Sequence, residues 1–282
     1  MASTVAPFLY LIHFQEEKKM KKTLSLILAL TLICGVFSAC DIGKTPSESV
    51  GLEYEVNPDG KTCTITGIGT CKDTDLVIPS TIDGYSVTKI GYMAFYNCSE
   101  LMSLIVPDSV TSIGNVAFYE CSSLMSITIP DSVTSIGSGA FYRTAYYNND
   151  DNWSGGVLYI GNYLIKAQSE KISGDYTVKE GIKNIPDSAF KGCYKLTSIT
   201  IPDSVTSIGN AAFRDCSGLT SITIPDSLTS VGDYAFAWCD SLTSIMFNGT
   251  KVQWNYFIRK GSYWNNNTGD YTIHCADGDL KK

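Results

Sequence analysis

Histidine is almost missing from this chain. Its 282 residues include two, His13 and His274, and His13 stands upstream of a segment expected to be removed. One remaining histidine cannot make a two-His metal site and gives little general-base capacity near neutral pH. Basic residues are scarce as well: 21 Lys+Arg against 28 Asp+Glu set the net charge at −7. No basic patch with interleaved aromatics is present, which argues against nucleic acid as a partner. Long hydrophobic runs are lacking too. The most apolar stretch, Leu24 to Val36, is shorter than the roughly 20 residues that cross a bilayer. No nucleophile–base pair, phosphate loop or metal constellation stands out, so no cofactor and no metal are expected. Only carboxylate chemistry stays open on composition. What the chain does have is 44% hydrophobic and 17% charged residues, enough to form a core and too apolar for wholesale disorder.

It also has repetition. IPDSVTSIG at 129–137 recurs letter for letter at 201–209, with VPDSVTSIG at 106–114 and IPDSLTSVG at 224–232. Strand-like triplets end at Ile78, Val106, Ile129, Val178, Ile201, Ile224 and Phe247, at intervals of 28, 23, 49, 23, 23 and 23. Ala-Phe pairs keep the same beat through Phe95, Phe118, Phe141, Phe190, Phe213 and Phe236. A fixed period of this length is the mark of a solenoid. In the unit that starts at Leu219, Leu219, Ile222 and Ile224 alternate as a strand does, with Ser221 and Thr223 facing out. Pro225 stops the strand and Asp226-Ser227 turns the chain. Leu228 and Val231 point back inward, and Gly232 permits a bend. Phe236, Cys239 and Leu242, every third residue, suit a turn or two of 3-10 or α-helix on the outer side. No unit buries its apolar face alone; stacked, each covers its neighbour.

The pattern LxxIxIPxSVxxIGxxAFxxCxxL resembles the BspA-like class of bacterial leucine-rich repeats over residues 76–247. The resemblance implies an α/β leucine-rich-repeat solenoid, with a parallel β-sheet on one face and short helical or 3-10 arcs on the other. It also implies a surface-exposed protein. Where the commoner leucine-rich repeat has Asn after the strand, this chain has Ser109, Ser132, Ser204 and Ser227. Their hydroxyls are expected to satisfy turn backbone.

Around the repeats the chain divides further. Residues 1–19 carry Glu16 and Glu17 and fit no leader, so Met20 reads as the true start. Lys21, Lys22, the apolar stretch and Phe37-Ser38-Ala39-Cys40 read as a lipoprotein signal peptide over 20–39, with lipid attached at Cys40. Residues 40–52 are small and polar, a flexible tether. From Cys40 onward 17 Lys+Arg and 26 Asp+Glu give a net charge of −9. Residues 53–75 read as an N-terminal cap and 248–282 as a C-terminal cap. An insertion near 143–168 breaks the period, with Gly161-Asn162 as a hairpin turn. The expected location is the cell surface, lipid-anchored to the bacterial envelope, with the lipid as the sole membrane contact.

Each column that could carry chemistry also has a plain reading. Cys98, Cys121, Cys193, Cys216 and Cys239 repeat with the arcs, with Thr144 standing in the third. They read as small buried hydrophobes, since parallel stacked positions suit disulfide dihedrals poorly. Cys63 and Cys71 could pair across a turn, and the sequence leaves that open. Asp108, Asp131, Asp203 and Asp226 suit turns and caps better than a bound cation. The Ser/Thr rows suit exposed strand better than ice. Function is therefore expected to be non-enzymatic: a cell-surface adhesin or protein-interaction module for host or neighbouring-cell protein or matrix. The alternative is glycan capture by exposed aromatics. Those are Tyr146, Tyr147, Trp153, Tyr159 and Tyr163 in the insertion, with Trp254, Tyr256, Tyr263 and Trp264 in the tail. Oligomeric state is not fixed by the sequence.

Overall fold

The computed structural model describes residues 47–258 and 263–281. The upstream segment 1–19, the leader 20–39, Cys40 and the part of the expected tether up to residue 46 lie outside the described residues. The remainder of that stretch, 47–52, is docked and no tether, with Ser49 N–H donating to Val77 O at 2.7 Å and Leu52 buried in the first apolar cluster. The fold opens on an antiparallel hairpin of β1 (Glu53–Val56) and β2 (Thr62–Gly67). Its turn is held by Asp59, whose carboxylate accepts the backbone N–H groups of Lys61 and Thr62 at 2.8 and 2.9 Å. The long first interval is absorbed by β4 (Thr81–Ile82), which folds back on β5 (Tyr85–Ile90) around Asp83 and Gly84.

From there each coil supplies two short strands. Before Pro come β3 (Asp75–Val77), β6 (Ser103–Ile105) and β8 (Ser126–Thr128), which form one parallel ladder. After the turn come β7 (Ser112–Ile113) and β9 (Ser135–Ile136), which continue a second ladder from β5. Past the insertion the wider ladder resumes as β13 (Gly174–Thr177), β15 (Leu196–Thr200), β17 (Ser221–Ile224) and β19 (Ser244–Phe247). The narrower one resumes as β14 (Asn184–Ile185), β16 (Ser207–Ile208) and β18 (Ser230–Val231). Register follows the sequence period: Ser198, Ser221 and Ser244 are direct partners, as are Ile199, Ile222 and Ile245. The narrow ladder is a finding: with only two paired residues per coil, the Thr-Ser-Ile stretch is too short to announce a strand in the sequence.

The outer arcs make local turns of 3-10 type, as in Cys121 N–H to Phe118 O and Leu124 N–H to Cys121 O, without running on into regular helix. Among the described residues, regular helix is confined to α1 (Ala145–Asn148), a 3-10 turn at Asp150–Asn152, and α2 (Lys251–Ile258). The arcs are chains of tight turns with left-handed residues, such as Val116 and Glu120, or Ala211 and Asp215. The reason lies in the hydrogen bonds. Phe95 N–H donates to Ala117 O at 2.8 Å and Phe213 N–H to Ala235 O at 2.7 Å, so these donors serve the next coil and not their own turn. Gly114, Gly137, Gly209 and Gly232 serve close approach instead of a bend. Their φ values are ordinary, but a Cβ on Gly114 would meet the backbone of Gly91 at 2.7 Å, and one on Gly209 that of Asp187 at 2.6 Å.

The six spine phenylalanines are fully buried. They stack in two runs: Phe95, Phe118 and Phe141 at 5.0 and 5.4 Å, then Phe190, Phe213 and Phe236 at 5.1 and 5.2 Å. Each run anchors its own apolar cluster. The insertion lies between, as the antiparallel meander β10 (Trp153–Ser154), β11 (Val157–Ile160) and β12 (Tyr163–Ala167). Its two faces feed different clusters: Ile160 and Tyr163 join the first, Val157, Leu164 and Ala167 the second. At the far end, β20 (Thr272–Cys275) pairs with β19 and β21 (Gly278–Lys281) closes the sheet antiparallel. Buried Trp254 and Trp264 seal that end, Trp264 lying edge-on to Phe236 at 5.8 Å. Tyr256 and Tyr263 stay exposed.

Candidate functional site

Because each spine Phe points inward, the residue after it points out. In the first three arcs that residue is Tyr96, Tyr119 and Tyr142. Tyr96 and Tyr119 stack at 5.2 Å, within 2° of parallel; Tyr119 and Tyr142 lie 5.5 Å apart and splay by 37°. Thr144 caps the N-terminus of α1 by accepting from Tyr147 N–H at 3.0 Å. That turn sets Tyr147 against Tyr142 at 4.9 Å, and Trp153 edge-on to Tyr147 at 5.0 Å. Trp153 Nε1 donates to Tyr147 O at 2.8 Å, which fixes the indole. The result is one continuous aromatic ribbon on the outside of the first half. Arg143 runs beside it, paired with Glu120 at 2.6 Å and standing 6.0 and 5.6 Å from the Tyr119 and Tyr142 rings.

Of the five insertion aromatics singled out from sequence, Tyr147 and Trp153 thus join the ribbon. The other three rivet the insertion in place. Tyr163 is buried, its hydroxyl 2.6 and 3.0 Å from the carbonyls of Pro130 and Val133. Tyr146 donates to Tyr159 O at 2.9 Å, and the Tyr159 and Tyr176 hydroxyls meet at 2.9 Å. Burial pushes the phenols of Tyr146, Tyr159 and Tyr163 above the ordinary tyrosine value. Sequence reading missed Tyr96, Tyr119 and Tyr142, although the signal was there: the triplet Ala-Phe-Tyr in three successive arcs.

A second outward feature follows the narrow ladder. An open groove of about 730 Å³ runs from Thr64 to Gly232, floored by Ser112, Ser135, Asn184, Ser207 and Ser230. It continues across the insertion because Asn184 Nδ2 donates to Thr134 O at 2.7 Å. Its rims are tied coil to coil: Asp187 accepts from Asn210 N–H at 2.7 Å, and Asn210 from Asp233 N–H at 2.9 Å. The column Ser109, Ser132, Ser204 and Ser227 is mixed. Ser132 and Ser227 donate to the preceding turn at 2.9 and 2.8 Å, and Ser204 accepts from Gly181 N–H at 3.1 Å. Ser109 Oγ is buried with no partner among the described residues.

The cysteines are all free among the described residues, Cys63 and Cys71 included. Cys121, Cys216 and Cys239 each point Sγ at the Phe carbonyl of the preceding coil, at 3.1 Å. Burial pushes the Cys121 thiol up to about 12, which removes the thiolate needed for reactivity. Asp108, Asp131, Asp203 and Asp226 are exposed at their turns.

Stacked coils with an in-register apolar spine and parallel ladders define a leucine-rich-repeat solenoid. The BspA type leucine rich repeat region matches residues 70–180 and 183–259 in six copies, and the chain belongs to that family. Among solved structures, a leucine-rich-repeat protein of T. pallidum is similar over 80% of this chain and 99% of its own, at 26% identity and a TM-score of 0.40. A leucine-rich cell-surface protein of Faecalibacterium prausnitzii aligns over 77% and 98%, at 21% identity and a TM-score of 0.25. The pneumococcal vaccine antigen PcpA aligns over 75% and 72%, at 17% identity and a TM-score of 0.35. Among curated proteins, none matches the chain.

Proposed function

We propose that the protein is a non-enzymatic binding protein of the bacterial cell surface, an adhesin or protein-interaction module. In this reading lipid on Cys40 anchors it to the envelope, and the partner is a host or neighbouring-cell surface protein or matrix component. The observation that carries it is the aromatic ribbon Tyr96–Tyr119–Tyr142–Tyr147–Trp153 with Arg143 alongside. Tyr, Trp and Arg dominate the energetics of protein interfaces. Over Tyr96 and Tyr119 the ring faces turn on each other, so the ribbon shows a partner edges and hydroxyls. Edges and hydroxyls suit a protein surface, whereas sugar stacking needs open faces. Family membership and the surface proteins among the similar structures support the location.

The test is binding of the purified protein to an array of matrix and cell-surface proteins. Tyr96→Ala with Tyr119→Ala should weaken the hit at least about tenfold with the melting temperature kept. An array without hits, or an indifferent double variant, would refute the reading. Deleting 146–163 is a poorer test, because it takes Ile160 and Tyr163 from one apolar cluster and Val157 from the other. The alternative, glycan capture, draws support from one place: where Tyr119 and Tyr142 splay, ring faces open.

A further inference from the structure

That splay stands over a pocket. The space, about 210 Å³, is lined by Tyr119, Tyr142 and Tyr147 on one side and by Ile136, Phe141 and Leu164 within. Lys166 and Asp187 supply its charges. It exists because the period breaks. The second and third arcs give Tyr119 and Tyr142, α1 gives Tyr147, β12 gives Leu164 and Lys166, and the next coil gives Asp187, so these groups converge once among the described residues. Convergence of a few polar groups on an apolar cavity between packed units is the usual makeup of a small-ligand site. The volume falls below the roughly 300–1,000 Å³ of whole drug-sized sites, which leaves room for a single ring.

The chemistry narrows the ligand. Lys166 Nζ donates to Ser188 O, and an ammonium has three protons to give. The Asp187 carboxylate accepts from Asn210 N–H and, at 3.4 Å, from Asn210 Nδ2, and has lone pairs remaining. One cation and one anion in the same small space oppose a charged guest of either sign. Both are matched by hydroxyl groups, which donate and accept. Tyrosine walls match the C–H face of a saturated ring.

We propose that this joint pocket binds one neutral hexopyranose unit, the end or branch of a surface glycan. The ring lies against Tyr142 and Tyr147, and its hydroxyls bridge Lys166 and Asp187. The inference rests on the reading of the chain as an outward-facing binder, but Lys166 and Asp187 lie outside the ribbon, so the two stand or fall separately.

Saturation-transfer NMR on the purified protein tests it, with methyl glucoside, methyl galactoside, methyl mannoside and N-acetylglucosamine as probes, and glucuronate and glucosamine as charged counterparts. At least one neutral probe should receive saturation, and both charged ones less. Tyr142→Ala should abolish the transfer, and Lys166→Met and Asp187→Asn should each weaken binding about tenfold without lowering the melting temperature. Neither of those two variants should change binding to the protein array. Silence from every neutral probe, preference for glucuronate, or transfer that survives all three substitutions would overturn the pocket assignment. Sugar binding together with an array that shows no protein partner would remove the adhesin reading and leave the pocket.

Discussion

The two halves of the solenoid share a spine and the serine-floored groove of the narrow ladder, but differ along the outer arcs and at the start of the wide strands. Their phenylalanines stack at nearly the same spacing, 5.0 and 5.4 Å before the insertion and 5.1 and 5.2 Å after it. The residue that follows each Phe is Tyr96, Tyr119 and Tyr142 in the first half, but Lys191, Arg214 and Ala237 in the second. On the wide sheet, exposed Met102 and Met125 in the first half correspond to Thr197 and Thr220 in the second. There the threonines lace neighbouring coils, Thr220 Oγ1 donating to Thr197 O at 2.9 Å. Inward columns are fixed by packing, where a methylene matters. Outward columns are free, so recognition can be concentrated in one half of a uniform frame.

The strongest test of that comparison is to damage each half in the same way. Phe118→Ala and Phe213→Ala each remove a ring stacked between two others, and each should cost about 3–5 kcal/mol. All four tryptophans, Trp153, Trp238, Trp254 and Trp264, lie at the insertion or beyond it. Three of them lie in the second half and Trp153 stands on the first-half ribbon, so Trp fluorescence weights the second half, while far-UV circular dichroism reports on both. Phe213→Ala should lower the fluorescence midpoint, and Phe118→Ala should lower the dichroism midpoint with the fluorescence less affected. Equal shifts in both probes for both variants would mean that the insertion welds the halves into one cooperative unit.

A smaller effect is expected from the glycine column. Gly114→Ala and Gly209→Ala each push a Cβ into the backbone of the preceding coil, an overpacking worth about 1–3 kcal/mol. Thermal melting should show similar losses in the two halves, because this column belongs to the shared frame. A neutral result at either site would mean that the coils can part locally without penalty.

How far the sequence reveals this depends on which physics repeats. The stacking, the inward Phe column and the strands before Pro are legible because identical residues recur at one period and only stacking buries them. The arcs were harder. The i, i+3 spacing of Phe236, Cys239 and Leu242 suits a helical turn, and Cys239 N–H does reach Phe236 O and Leu242 N–H Cys239 O, but other donors such as Phe236 N–H cross to Trp264 O, which no local pattern records. The insertion was visible as a break, yet its roles were not: Tyr146, Tyr147, Trp153, Tyr159 and Tyr163 look equivalent in sequence and part into rivets and ribbon only in three dimensions. The joint pocket was the least legible, since Tyr142, Lys166 and Asp187 meet only through the fold.

The least disruptive probe of the comparison is pH. The thiol column is interrupted in the first half by Thr144, which donates to Phe141 O at 2.9 Å and does not titrate. In the second half Cys193, Cys216 and Cys239 follow without a gap. Burial raises Cys121 from 9.0 to about 12. The Cys216 thiol and burial raise Cys193, and Cys216 is raised too, the Cys239 thiol and burial outweighing the pull from Cys193. A raised thiol pKa means that the folded chain holds a proton that the unfolded chain gives up. Its contribution to stability is complete below about pH 9 and is lost as pH climbs toward about 12. Cys121 should cost about 1.4 kcal/mol by about pH 10. Raised thiols stand in both halves, Cys98 and Cys121 in the first and Cys193 and Cys216 in the second, so the fluorescence and dichroism midpoints should both fall as pH rises. Cys121→Thr, which borrows the residue already used at position 144, should reduce the dependence in the first half, with Cys98, also raised by burial, keeping its share. A midpoint independent of pH across that range would show that these thiols are not held protonated in the folded chain.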